Sequence, residues 1–494
     1  MREVAPYLVV AWVVAMLGMF PLFGRPRWAV LFIVISGILF LPEAIRNPVE
    51  IGPIKFSKHH AIGYAALLGA MLFDTGRLFA IRLSVFDLPA LVWCLCPLPS
   101  VLTNGSPPDG SSMLWDALSQ TWAQTVNYGI PYLLGRMYFT SHDSFRELGL
   151  GLITGALVYV PLCLYEIRMS PQLHNMIYGY SQHSFGQTIR FGGYRPMVFM
   201  SHGLTLAMFM VTATVFACLM WRGGEFHRSK SAQIFLSRGF RLTPAVFGVT
   251  VVLLKSTGAL ALGFGAGIIF LLGRMTNSRW PLLMLVIVPI LYVTVRTNGV
   301  WTGDSLIQFV GANIEKGRAQ SLEFRFMNEN MLVKKALERP WFGWGGWGRN
   351  RIFDAQTGKD ITVTDGLWII AMGDRGLIGL LALGGMVLLP VTRFAFRVPP
   401  AKYLQSAAAT AGVFVLALAT IDSLPNVGLA SPLYILIAGG LTGLQPIADR
   451  NSKSSPIRRL RVVTRRTGQQ QVKSSATKES VLSASFTKDR QPLT

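Results

Sequence analysis

Apolar blocks of about twenty residues fill the chain from Tyr7 to Ile447, and one long polar interruption runs from about Thr297 to Thr364. An α-helix rises about 1.5 Å per residue, so a block of that length crosses about 30 Å of hydrocarbon. Lipid offers the backbone no hydrogen-bonding partner, so spanning segments must be helices or a closed barrel. The blocks are continuous and long, which favours helices over the short alternating segments of a barrel.

The pattern therefore predicts an all-α fold, a polytopic transmembrane helical bundle of about 12–13 spans with one large extracytoplasmic loop that contains a helix. The first block, Tyr7–Phe23, follows no basic start and precedes no small-residue cleavage site, so we expect a retained span. The predicted spans are residues 5–23, 28–45, 59–75, 84–103, 117–139, 147–167, 196–221, 242–256, 258–273, 280–297, 365–390, 405–421 and 431–448.

Composition agrees with this interpretation. Charged residues make up 14% of the chain, whereas soluble domains contain about 25%. The net charge of +22 comes from short loops and from the basic segment Arg450–Thr494, which we expect to be a disordered cytoplasmic tail behind an integral membrane domain over residues 1–449. A basic chain can indicate nucleic-acid binding. Positive loops beside anionic lipid explain this charge better, so we expect a bilayer and no nucleic acid as partner.

Placing the basic tail in the cytoplasm sets the orientation of the spans. The basic loops Arg222–Arg241, Arg274–Arg279 and Arg393–Lys402 then lie on the cytoplasmic side, while loops 168–195 and 297–364 lie outside. The segment Arg46–His60 disagrees with this arrangement, so the orientation of the N-terminal third stays open.

The sequence predicts neither a metal centre nor a cofactor. The four cysteines, Cys94, Cys96, Cys163 and Cys218, lie inside apolar blocks and have no zinc-type spacing, which is typical of packing residues. No phosphate-binding loop, dinucleotide fingerprint or nucleophile elbow is present.

The long loop contains a predicted helix over Ser321–Arg339, with Ser321 as its cap, Glu323 in its first turn and Pro340 at its end. The run Trp341-Phe342-Gly343-Trp344-Gly345-Gly346-Trp347-Gly348 follows. Its glycines indicate a tight turn or a close backbone approach. Its tryptophans could be interfacial or packing residues, or could contact a substrate.

Two segments carry candidate chemistry. In the first, Arg190 and Arg195 flank Gly192-Gly193 ahead of His202, at the mouth of a span. Arginine binds phosphate through a bidentate fork, although interfacial arginines also reach lipid headgroups. His202 could be a packing residue or a proton carrier.

The second segment contains Arg325 in the predicted loop helix and Asp365 at the start of the next span. Asp365 could cap the helix that it precedes, or it could be an active-site acid. Arginines together with a carboxylate at one end of a bundle suit a lipid-linked phosphate or pyrophosphate substrate.

These residues resemble those of the O-antigen ligase and O-antigen polymerase superfamily of bacterial envelope proteins, over residues 185–390. Lys255-Ser256-Thr257-Gly258 resembles the start of one family span, and Arg325…Pro340-Trp341-Phe342-Gly343-Trp344-Gly345 is similar to the family's Arg…Pro-x-Phe-Gly-x-Gly run. The family places a histidine before its Gly-x-x-Gly motif. Here Asp365 stands at that spacing before Gly376-Leu377-Ile378-Gly379.

The resemblance implies a metal-independent membrane glycosyltransferase of the bacterial inner membrane. Such an enzyme transfers a glycan from a polyprenyl-pyrophosphate carrier to a hydroxyl of a glycan or lipid acceptor. It implies that Arg190 or Arg195 holds the pyrophosphate together with Arg325, and that Asp365 or His202 accepts the acceptor's proton. Polymerase and ligase activity both remain open.

Two other functions fit a polytopic chain. A transporter or flippase of a lipid-linked or anionic solute usually places polar residues and broken helices at the midplane. A non-catalytic assembly or sensing protein is the other alternative. Here the polar candidates gather at one end of the bundle, which favours an enzyme.

Overall fold

The structure is a computed structural model that describes residues 4–45, 48–52, 54–105, 110, 112–228, 241–313 and 316–446. Met1–Ile447 forms one compact unit. The predicted cytoplasmic tail and most of the basic segment between Arg222 and Arg241 lie outside the described residues.

Helices make up almost all of the regular structure. The helices are α1 Ala5–Leu17, α2 Met19–Phe23, α3 Pro26–Phe40, α4 Lys58–Phe73, α5 Thr75–Phe79, α6 Leu88–Leu95, α7 Pro97–Leu102, α8 Met113–Gln124, α9 Ile130–Tyr138, α10 His142–Met169, α11 Leu173–Tyr178, α12 Gly203–Arg222, α13 Thr243–Leu253, α14 Thr257–Met275, α15 Trp280–Thr297, α16 Asp304–Asn313, α17 Lys316–Leu337, α18 Leu367–Arg397, α19 Ala407–Asp422 and α20 Pro432–Thr442. A π-helical turn, Thr125–Gly129, joins α8 to α9, and 3₁₀ turns cover Val85–Asp87, Phe185–Thr188, Glu225–Arg228, Pro400–Ser406 and Gly428–Ala430. Two antiparallel hairpins pair β1 Glu50–Ile51 with β2 Ile54–Lys55 and β3 Ile189–Arg190 with β4 Gly193–Tyr194.

Eight helical segments in the described part of the chain are long and apolar enough to cross a bilayer. They are Ala5–Phe23, Val85–Leu102, His142–Met169, Gly203–Arg222, Thr257–Met275, Trp280–Thr297, Leu367–Arg397 and Pro400–Asp422, and shorter apolar helices cover Pro26–Phe40, Thr243–Leu253 and Pro432–Thr442. These segments coincide with predicted apolar blocks. The all-α polytopic bundle is therefore confirmed, and the chain is a multi-pass membrane protein.

Helix α19 forms the centre of the bundle. Its sequence, AAATAGVFVLALATID, is rich in alanine, and nearly all of its residues are buried against α10, α12, α18 and α20. Small side chains let helices approach closely where lipid supplies no hydrophobic driving force. Helices α9 and α20 approach closely in this way, because a Cβ at Gly439 would stand 2.0 Å from the carbonyl oxygen of Tyr132.

The helix of the long loop begins earlier than predicted. It starts at Lys316, so Ser321 lies inside the helix and the prediction that it caps the helix is wrong. The helix stops at Leu337, shortly before Pro340, as expected where proline cannot continue the backbone hydrogen bonding.

An ion pair anchors this loop helix to the end of α15. Arg296, only 3% exposed, donates to Glu329 from Nε and Nη2, at 3.1 Å each. Tyr292 donates its hydroxyl to the same carboxylate at 2.7 Å. Burial raises the pKa of Glu329, although its bonds to Tyr292 and Arg296 oppose that effect. The loop is therefore held on the bundle by a buried polar cluster.

Helix α18 contains a break at Gly376, which has φ +66° and ψ −167°. That backbone region is accessible essentially to glycine alone. In a regular helix the N–H groups of Leu377 and Ile378 would bond to the carbonyls of Gly373 and Asp374. The break leaves these four groups to other partners.

The tryptophan–glycine run supplies those partners. Its backbone lies across the break and satisfies all four groups, which explains why this segment needs bare glycines. The bonds are Leu377 N to Pro340 O (2.7 Å), Ile378 N to Trp341 O (3.3 Å), Trp344 N to Gly373 O (2.8 Å) and Gly345 N to Asp374 O (2.9 Å). The long loop and α18 thus form one structural unit.

Candidate functional site

The segment that carries Arg195 is held by a buried carboxylate. Glu166, 1% exposed at the end of α10, accepts hydrogen bonds from the backbone N–H groups of Leu173, Met197 and Val198 at 3.0, 2.9 and 2.7 Å. The predicted span over 196–221 therefore starts late, because residues 196–202 follow this clamp in an extended and turned path and α12 begins at Gly203.

Arg195 is a buried cation with no acidic partner in the part of the chain that the structure describes. Its side chain is 5% exposed, Nη2 donates to the hydroxyl of Ser256 at 3.2 Å, and Nε has no partner there. No carboxylate of the described residues forms an ion pair with it. Burial lowers the pKa of Arg195 to about 10, and the positive charge of Arg190 adds to that effect. A buried guanidinium of this kind favours an anionic ligand.

More positive charge surrounds Arg195. Lys255 donates from Nζ to the carbonyl oxygens of Arg190 and Phe191 at 3.2 and 3.3 Å. Gly193 admits that amine, since a Cβ there would stand 2.3 Å from Nζ. Helix α14 begins two residues after Lys255, so the positive end of its dipole lies at the same end of the bundle. The exposed Arg190 guanidinium has no partner among the described residues. We call Arg190, Arg195 and Lys255 the cation cluster.

Backbone strain accompanies this cluster. Phe191, Val198 and Lys255 have φ values of 48°, 53° and 53°, in the left-handed region that side chains other than glycine rarely adopt. Each such residue costs about 1–3 kcal/mol, and strain of this kind concentrates at functional sites. The strain and the unpaired cation independently favour a binding role for this end of the bundle.

His202 caps helix α12. Its Nδ1 accepts a hydrogen bond from the backbone N–H of Leu204 at 3.1 Å. Burial lowers the pKa of His202 to about 4, and the charge of Arg195 is the next largest cause. The ring is therefore neutral near pH 7, with Nδ1 as acceptor and the proton on Nε2. Of the two roles left open by the sequence, this geometry favours the packing role over the proton carrier.

Arg325 and Asp365 meet across the long loop. Arg325 Nε lies 3.7 Å from Asp365 Oδ2, and the two side chains are 36% and 42% exposed. Gly366, not Asp365, is the N-cap of α18, and no side chain caps that helix. The capping role proposed for Asp365 is therefore absent, and its carboxylate stays available to a substrate.

All five sequence candidates gather at one end of the bundle. The charges of Arg190 and Arg325 both contribute to the low pKa of His202, so the hairpin segment and the loop helix lie within electrostatic range of each other. The arrangement therefore places cations that can bind an anion at the same end of the bundle as the accessible carboxylate of Asp365.

The structure adds two residues that the sequence analysis did not select. Asp422 ends α19, is 7% exposed and accepts a hydrogen bond from Asn426 Nδ2 at 3.0 Å, and Arg325 lies within electrostatic range of it. His183 places its ring 4.8 Å from that of His202. The sequence feature that could have identified Asp422 is the position of an acid at the end of an apolar block. No sequence feature singles out His183.

Arg375 is buried and donates to Gln124 and Gln120 at 3.1 and 3.0 Å, which places it inside the bundle. The described residues contain no group of three His, Cys, Asp or Glu side chains that could hold a metal ion.

Comparison with known protein families found no match for this chain, and a search of curated proteins found none either.

Proposed function

We propose that this protein is a membrane glycosyltransferase that moves a glycan from a polyprenyl-pyrophosphate carrier to an acceptor hydroxyl during surface polysaccharide synthesis. The observation that carries the proposal is Arg195, a buried cation with no acidic partner in the described structure. The site lies at the end of the bundle that bears the long loop, where a lipid-anchored substrate presents its headgroup.

In the proposed reaction the acceptor oxygen forms a bond to the anomeric carbon of the donor sugar. The bond from that carbon to the pyrophosphate oxygen breaks, and its electron pair leaves with the polyprenyl pyrophosphate. The cation cluster and Arg325 stabilise the charge that develops on the leaving group. The hydroxyl proton passes to Asp365, whose carboxylate has no hydrogen-bond donor among the described residues beyond its contact with Arg325.

The orientation belongs to the same proposal. The distribution of basic loops and the resemblance to the O-antigen ligase and polymerase superfamily support a bacterial cytoplasmic membrane, with the long loop outside and the C-terminal tail inside. The energy for transfer comes from the pyrophosphate linkage of the donor, so the reaction needs neither a nucleotide sugar nor a metal ion.

A transporter of lipid-linked anions would use the same cations. The distinguishing feature is chemical, because a transferase breaks the carrier–sugar bond and a transporter leaves it intact. The accessible carboxylate beside Arg325 favours the transferase, since a transported anion needs no base.

The test uses purified full-length protein in liposomes, with lipid-linked glycan extracted from the source cells as donor. We expect free polyprenyl pyrophosphate and an elongated or transferred glycan with wild type, and neither product with Arg195→Gln or Asp365→Asn. Donor that reappears intact on the opposite leaflet, without bond cleavage, would instead support a transporter.

A further inference from the structure

A cavity lies in the long loop, beside α17. It has a volume of about 630 Å³, and its walls include Asn104, Lys334, Glu338, Arg349, Arg351 and Phe353. Lys334 follows Arg325 by two and a half turns of α17, at about 100° per residue, and so lies on the opposite side of that helix. The cavity is therefore separate from the Arg325–Asp365 pair and has the size of a small-ligand site, about 300–1,000 Å³.

Three polar atoms of residues that line it are buried without a partner in the described part of the chain. They are Nη1 and Nη2 of Arg349 and Oδ1 of Asn104. The amide nitrogen of Asn104 is already committed to the carbonyl oxygens of Gly343 and Ser100, at 2.8 and 2.5 Å. An unsatisfied buried donor or acceptor costs about 1–3 kcal/mol, so two donors and one acceptor on residues that line one cavity favour a ligand with complementary groups.

The cavity walls also carry an excess of positive charge. The acid Glu338 is already paired with Lys335 at 2.8 Å, while exposed Lys334 has no partner among the described residues. Lys335 in turn lies 3.8 Å above the ring of Trp344, which fixes the wall between the helix and the tryptophan–glycine run. The charge that remains available to a ligand is therefore that of Lys334 and Arg349.

We propose that this cavity binds an acidic sugar, one that bears a carboxylate or phosphate, within the glycan that the enzyme handles. The proposal rests on the proposed function for the origin of that glycan. Arg349 offers its two free Nη groups to the anionic group as a bidentate fork. Asn104 Oδ1 accepts a hydrogen bond from a sugar hydroxyl. Phe353, 51% exposed, offers its ring to the apolar face of the sugar.

A lipid headgroup is the competing source of an anion. A bare phosphate diester satisfies Arg349 but brings no donor for Asn104, and a glycerol headgroup that has hydroxyl donors brings no apolar ring face for Phe353. An acidic sugar brings an anion, hydroxyl donors and an apolar face, which favours the sugar. Such a site would hold a residue of the chain remote from the reacting carbon and so set specificity for acidic polysaccharides.

The test is direct binding to purified full-length protein in detergent, by calorimetry. The probes are an oligogalacturonate, a sugar phosphate and a neutral malto-oligosaccharide of the same length as the first. We expect one acidic probe to bind and the neutral probe not to bind. Arg349→Gln should raise the dissociation constant at least about tenfold, as expected for loss of a charge-assisted bidentate contact. Lys334→Gln, an exposed change that leaves the fold intact, should raise it less.

Lys359→Gln is the matched control, because Lys359 is exposed in the same loop and lies outside the cavity walls. Equal binding of acidic and neutral probes, no binding of either acidic probe, or unchanged binding by Arg349→Gln would overturn the proposal. Displacement of the bound sugar by vesicles of phosphatidylglycerol, but not of phosphatidylcholine, would identify a headgroup site and overturn it as well. Arg195→Gln should keep sugar binding while it abolishes transfer, so failure of the proposed function and failure of this site are distinguishable.

Discussion

Arg325 and Asp365 approach each other from the loop helix and from the residue before the cap of α18, with Nε 3.7 Å from Oδ2. Neither residue needs the other for the fold, because both side chains are more than one third exposed. Exposed ion pairs stabilise a protein by about 0–1 kcal/mol. The pair therefore contributes little to stability and stays accessible to a substrate, as expected for functional rather than structural residues.

Replacing Arg325 separates activity from stability. We expect Arg325→Ala to lower the transfer rate roughly 10²–10³-fold, as loss of one charge-stabilising donor does, while the thermal midpoint changes by only a few degrees. Lys55→Ala is the comparison, because Lys55 forms an exposed ion pair with Glu50 at 2.8 Å and lies outside both proposed sites. A large loss of stability in Arg325→Ala with unchanged transfer would show that the pair is structural.

Replacing Arg195 should give opposite effects on function and stability. Arg195→Met removes a buried charge that has no acidic partner among the described residues, and such charges are costly to keep in the interior. We expect the unfolding midpoint to stay equal or rise, while binding of inorganic pyrophosphate is lost. Calorimetric titration and a thermal melt of the same preparation measure both quantities. Strong destabilisation would instead indicate that Arg195 holds the fold.

The low pKa of His202 predicts a pH dependence of stability. Its value is about 4 in the folded protein against 6.5 for an ordinary histidine, so the unfolded chain binds the proton more readily between these values. The free energy of unfolding should therefore fall as the pH falls from 6.5 toward 4 and should not change from this source above 6.5.

His202→Asn tests this dependence, because asparagine keeps a cap acceptor but does not titrate. The difference between wild type and variant in thermal midpoint should change between pH 6.5 and 4 and stay constant from pH 7 to 8. A difference that is the same at every pH would show that His202 titrates normally.

The break in α18 gives a matched pair of glycine variants. A Cβ at Gly376 would stand 2.3 Å from the carbonyl oxygen of Trp341, and the backbone there has positive φ, whereas a Cβ at Gly384 of the same helix meets nothing within 4 Å. We expect Gly376→Ala to lower the free energy of unfolding by at least about 1–3 kcal/mol. We expect Gly384→Ala to raise it by up to about 1 kcal/mol. Equal effects on the denaturation midpoint would contradict the backbone pairing described for the tryptophan–glycine run.

The sequence predicted the bundle well because the length and apolar composition of each block are enough to indicate a span. Span positions from Trp280 to Thr297 and from Ala5 to Phe23 match the helices closely. The local capping rule failed at the start of the loop helix. Ser321 has the chemistry of a cap, yet the helix extends past it to Lys316.

The candidate site was predictable in its residue types but not in its geometry. The order Arg325, glycine run, Asp365 was visible in the sequence, whereas the four backbone bonds across Gly376 require residues that are distant along the chain. That no acid of the described residues lies beside Arg195 could not be predicted either, since only folding decides which charges stay unpaired.

The most direct measurement compares glycan length by gel in cells that carry wild type, Arg325→Ala, Asp365→Ala or Lys359→Ala at matched protein levels. We expect long or transferred chains with wild type and Lys359→Ala. We expect their loss, with accumulation of carrier-linked units, in the other two variants. Normal glycan in both Arg325→Ala and Asp365→Ala would contradict the proposed glycan transfer.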